Sequence, residues 1–150
     1  MFSKARYYIK TAFGFFILGI LAGLYLYAAR IFGWFIPHTL VSAHTHVILM
    51  GGMLMMILGV AIWFFPRPPK DDKRYNPTAI AALYWLFTLS TLFRFLLEVL
   101  AGVPNWGHLR ATAFIMAIVQ VFATIGLIYS IWGRIRPVGS QLREKKGQQF

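Results

Sequence analysis

Near the middle of the chain, nineteen consecutive apolar or glycine residues, positions 47–65, run without a single charge. The hydrocarbon core of a bilayer, about 30 Å thick, needs roughly 20 helical residues to cross it. A run of that length, in a chain that is 59% hydrophobic and 13% charged, points to a membrane protein rather than a soluble domain. Two histidines, His44 and His46, stand immediately before the run, and Pro66 and Arg67 close it. Ionisable side chains at the mouth of a membrane helix are costly, and they point to function.

Three further apolar stretches complete the pattern. The expected spans are 11–35, 43–65, 77–102 and 108–132, followed by a basic tail at 133–150. Gly19 and Gly23 in the first span have the small-xxx-small spacing that lets membrane helices approach closely. Three prolines within residues 66–69 end the second helix. Asn76 followed by Pro77 is a capping residue with proline at the first helical position. The first apolar run is long and continues into the rest of the pattern, so it is expected to stay as an anchor rather than be cleaved as a signal peptide.

The net charge of +11 invites a nucleic-acid reading, but the placement of the basic residues argues against it. Three lie before residue 11, four in the 66–77 loop and five in the tail, while the turns at 36–42 and 101–107 hold none. The positive-inside rule then predicts an all-α, four-helix transmembrane antiparallel bundle with both termini in the cytoplasm. Trp34 and Trp106 fall at the outer ends of spans, and Trp63 and Trp132 at the inner ends, where indole rings anchor at headgroups. The expected setting is the bacterial cytoplasmic membrane, with the tail solvated or against anionic lipid. Cysteine is absent, which excludes disulfides, thiolate metal sites and covalent haem attachment.

In this topology spans two and four both run inward. His44 and His46 open one and His108 opens the other, so these histidines, with His38 in the first turn, gather near the outer face. Imidazoles on two helices at matching depth are what a bis-histidine haem b requires. Arg30, Arg94, Glu98 and Arg110 share that half of the membrane. Arginine pairs well with planar carboxylates, so the three arginines are candidates to hold haem propionates. Arg94 and Glu98 are also four apart and suited to an ion pair within one helix. His44 and His46 lie about 200° apart around a helix and cannot face one haem together. One of them should point into the bundle. The other should point to lipid, a partner or a supporting hydrogen bond.

His44 before an apolar helix, Gly59 fifteen residues on and Pro66–Arg67 at its close make residues 43–67 resemble the second helix of haem-copper oxidase subunit I. The His44–Thr45 pair is most similar to the cbb3-type and nitric oxide reductase branch. The resemblance implies that His44 ligates a low-spin haem near the outer face, with His46 the next candidate. His108 enters from topology alone. The resemblance is local, and the copper-site motifs of those oxidases are absent, so oxygen or nitric oxide reduction is not carried over.

The expectation is therefore a small b-type haem protein for electron transfer or gas binding in a respiratory context. His44 and His108 would be its axial ligands, with His46 as alternate. A quinol or a periplasmic redox protein would be its partner, and it would sit in a homo-oligomer or a larger complex. Two other expectations stand beside it. One is a haem-free accessory or assembly subunit of a respiratory oxidase. The other is a membrane protein binding copper or zinc through His44, His46 and His108. Met50, Met53, Met55 and Met56 are read as gap-filling core residues, Gln120 as an interhelical hydrogen bond, and Gly51, Gly52 and Gly59 as close-packing glycines or a surface for a macrocycle.

Overall fold

The computed structural model describes residues 3–66, 74, 76–102, 107–135 and 147. Arg67, Trp106, Lys70, Lys73 and the basic residues of the tail beyond 135 lie outside the described residues. Among those described, the regular structure is entirely helical, and four helices are long and apolar enough to cross a membrane.

Helix α1 spans Ser3–Phe32. Gly33 ends it in the left-handed region, at φ 69°. The amide of Trp34 reaches back to the carbonyl of Ala29 (3.0 Å), closing the last turn. Helix α2 runs over Leu40–Phe64. It is α-helical at Leu40–His46, π-helical at Val47–Leu54 and α-helical again at Met55–Phe64. Phe65 is extended (ψ 145°), as the residue before a proline prefers, and the helix stops there. Helix α3 is Pro77–Ala101, capped by Asn76, whose Oδ1 accepts from the amides of Thr78 (2.8 Å) and Ala79 (3.4 Å). Helix α4 is Gly107–Trp132.

The helices pack as two hairpins. Along the α1–α2 seam the contacts run in opposite directions: Gly23 meets His44, Gly19 meets Ile48, Gly51 meets Phe15, and Gly59 meets Tyr8. A Cβ on Gly51 would stand 2.7 Å from Phe15 Cγ, and one on Gly52 would stand 2.7 Å from the Phe16 ring. These glycines are therefore filled by α1 aromatics, and the close-packing reading describes them. Met55 is fully buried in the core, with Met50 and Met56 packed against it. Helix α3 pairs with α4, where Leu83 covers Gly126. The hairpins join chiefly through the first half of α2 against α3, with smaller contacts of α1 on α3 and of the second half of α2 on α4, while the backbones of α1 and α4 do not approach each other among the described residues.

At the end where α1 and α3 begin, Tyr8 donates to the carbonyl of Ile80 (3.2 Å) and Thr11 bonds Tyr84 (2.6 Å). Arg134 belongs to the segment expected to be a solvated tail, yet it is 2% exposed. Its guanidinium donates to the carbonyls of Ile62, Phe65 and Pro66 (2.8, 2.8 and 2.9 Å). Those are the orphan acceptors at the end of α2, where a cation also meets the negative end of the helix dipole.

Phe13, Ile17, Leu24, Phe114, Phe122 and Ile125 are among many large side chains more than half exposed on the outside of the four helices. Apolar surface on that scale suits lipid, not water.

Candidate functional site

The informative side chains cluster where α1 and α3 end and α2 and α4 begin, here called the turn end. His44 and His46 leave α2 on different sides. The His44 ring rests on α1 at Gly23, where any Cβ would come within 2.8 Å of its Cε1. Its Nδ1 is 2.9 Å from the carbonyl of Gly19. A carbonyl can only accept, so Nδ1 carries the hydrogen and Nε2 keeps a lone pair.

His46 faces the bundle interior. Arg94 Nη2 donates to its Nε2 (2.8 Å). An arginine has no acceptor to offer, so this contact places the imidazole hydrogen on Nδ1. That Nδ1–H lies between Glu98 Oε2 (3.2 Å) and Ser42 Oγ (3.1 Å). Arg94 also donates through Nε to Glu98 Oε1 (2.9 Å), the i,i+4 pair expected from the sequence, and through Nη1 to Gln120 Oε1 (3.0 Å). Gln120 is buried and passes the chain on to Thr91 Oγ1 (2.7 Å), which donates to the Phe87 carbonyl (2.7 Å). One guanidinium thus binds α2, α3 and α4 together. Every member has a partner, as buried polar groups in an apolar medium require.

The other sequence candidates are placed differently. Arg110 is exposed on the first turn of α4 and bonds His38 Nε2 through Nη2. His108 is exposed, and its carbonyl accepts from Thr112 Oγ1 (3.2 Å). Arg30 is exposed at the end of α1. Tyr25 bonds the Phe35 carbonyl (2.7 Å). The structure therefore brings together His46, Arg94, Glu98 and Gln120, and it brings Arg110 to His38. It does not bring His44 to His108, because His44 lies against α1 and α4 does not pack on α1. Among the described residues, no group of three histidine, cysteine or acidic side chains is arranged to hold a metal ion.

A cavity of about 240 Å³ opens beside the network. Its polar wall is Thr39, Ser42, Arg94, Glu98 and Arg110, and its apolar wall is Ala101, Ala113, Phe114 and Ala117. Thr39 also donates to the Glu98 carbonyl, tying the start of α2 to the end of α3. Sequence reading found the charged members one by one. It missed the cavity, whose signal is the alanine pair at 113 and 117 facing an arginine-bearing helix.

Searches among protein-family models, curated proteins and solved structures find no match to this chain. The four long apolar helices and the site between them have the character of a multi-pass membrane protein with a polar network in its apolar core.

The haem b implied by the resemblance finds one histidine placed to serve it. His44 suits a single axial ligand, since its ring is fixed and its Nε2 lone pair is left over. His108 is exposed at the start of α4, and α4 does not pack on the α1 face that holds His44.

Proposed function

We propose that this is a small b-type haem protein of the bacterial cytoplasmic membrane, with His44 as one axial ligand. The observation that carries the reading is the Nδ1 bond from His44 to the Gly19 carbonyl. Such a bond selects the tautomer a metal needs and holds the ring against rotation. Bound haem would supply a one-electron centre for transfer to or from a quinol or a periplasmic partner, or a gas site if one axial position stays open. Arg30 lies seven residues beyond Gly23 on α1, two turns or roughly 10 Å along the helix, on the face that carries His44. It is the arginine best placed for a propionate, and its charge disfavours the oxidised iron. The sorting of lysine and arginine supports both termini in the cytoplasm, with the turn end outward. His108, exposed at the start of α4, is the candidate second ligand, toward a haem of its own bundle or of a neighbouring copy or subunit.

A reduced-minus-oxidised spectrum of detergent-purified protein, expressed with ample haem, tests this. A sharp Soret band is expected in the wild type and in His46→Ala, and it should vanish in His44→Ala. A colourless wild type rejects haem. It would favour the haem-free accessory subunit, for which the thinly covered α4 speaks: 22% of its apolar window is buried, against 39% for α2.

A further inference from the structure

The turn-end cavity lies on the far side of α2 from His44, and the charges around it do not balance. Glu98 is the one carboxylate on its wall, and both its oxygens are already engaged, by Arg94 and by His46. Arg110 bonds the His38 ring, and among the described residues no carboxylate lies within ion-pair distance of it. It stands in the first turn of α4, where the amides of the helix start add positive potential. Arg110 and Arg94 thus put two cations on the wall of the cavity against the single carboxylate of Glu98.

The hydrogen bonds also leave a donor over. His46 must hold its hydrogen on Nδ1, because Arg94 donates to Nε2. Ser42 Oγ is then an acceptor toward His46, and its own hydroxyl hydrogen is left for an acceptor in the cavity that Ser42 lines. Ala113 and Ala117 keep the opposite wall low.

We propose that this cavity binds an oxyanion, a carboxylate or phosphate group, held by Arg110 and Arg94 with Ser42 donating a hydrogen bond. Two sources share that chemistry: the phosphate of an anionic phospholipid lying at the turn end, and a small soluble anion. The site does not depend on haem at His44.

The test uses the full chain in nanodiscs of phosphatidylcholine. Inorganic phosphate and acetate are titrated in by calorimetry, and phosphatidylglycerol is introduced in a parallel series read by thermal unfolding. Saturable binding of phosphate or acetate identifies a soluble ligand. Stabilisation by phosphatidylglycerol alone identifies the headgroup. In either case Arg110→Gln should weaken the response about tenfold, as loss of a charge-assisted hydrogen bond does. Ala117→Leu, which fills the cavity and leaves the charges in place, should weaken it similarly. Arg110 is exposed, so its variant is expected to fold, and an unchanged Soret band or unfolding temperature in its absence of ligand verifies this. No response to any of the three probes overturns the proposal. So does a response that both variants retain.

Discussion

Helix α2 sends two histidines, two residues apart, into two seams built on opposite principles. Toward α1 the seam is dry and tight: Gly19, Gly23, Gly51, Gly52 and Gly59 are filled by Ile48, His44, Phe15, Phe16 and Tyr8. Toward α3 and α4 it is polar: His46, Arg94, Glu98, Gln120 and Thr91 form one hydrogen-bonded chain. In lipid there is no water to drive apolar faces together, so helices associate by close packing or by hydrogen bonds. This protein uses one on each side of the same helix. The first seam holds His44 as a fixed ring with one spare lone pair. The second consumes both nitrogens of His46.

The contrast predicts unequal responses to single substitutions. Arg94→Met strikes the polar seam hardest, because it leaves Glu98 as an uncompensated charge in an apolar setting. The expected loss is about 3–5 kcal/mol of unfolding free energy in mixed micelles. Adding Glu98→Leu should restore much of it, and a double variant as unstable as the single one would show that the pair is not the hub. Gly51→Ala comes next. Its new Cβ meets the Phe15 ring root at 2.7 Å, and overpacking there should cost about 1–3 kcal/mol. If the dry seam is a packing device, Phe15→Ala in the same chain should cost less than the two changes summed. Gln120→Leu is the mildest, at about 1 kcal/mol, since interhelical hydrogen bonds in membranes are individually modest. A Gln120 loss larger than that of Arg94 would reverse the ranking of the polar seam.

Much of this was legible in the sequence because lipid makes strict demands. Long apolar runs announced four spans, Asn76–Pro77 announced the start of α3, and Gly19 and Gly23 announced a close approach. The Arg94–Glu98 pair followed from spacing alone, and Gln120 as a bridge between helices followed from its depth in the fourth span. Which histidine faces which seam did not follow. A separation of two residues says that they diverge, and only the neighbours of α2 decide where each points. Arg134 was hidden for another reason. It sits among basic residues whose charges mark topology, and nothing local distinguishes the one that folds back onto the Ile62 and Phe65 carbonyls.

The π-helical stretch at Val47–Leu54 has a further consequence. Each residue there turns through less than the ordinary 100° or so of an α-helix, since its hydrogen bonds reach one residue further along the chain. The histidine-bearing part of α2 and the part carrying Met55, Leu58 and Ile62 therefore keep their relative aim through a residue count. Exchanging one apolar residue for another inside the stretch leaves that aim alone. Removing one residue swings both imidazoles around the helix axis and out of their seams at once. For this segment length matters more than spelling, and an insertion or deletion is a graver change than any substitution of similar size.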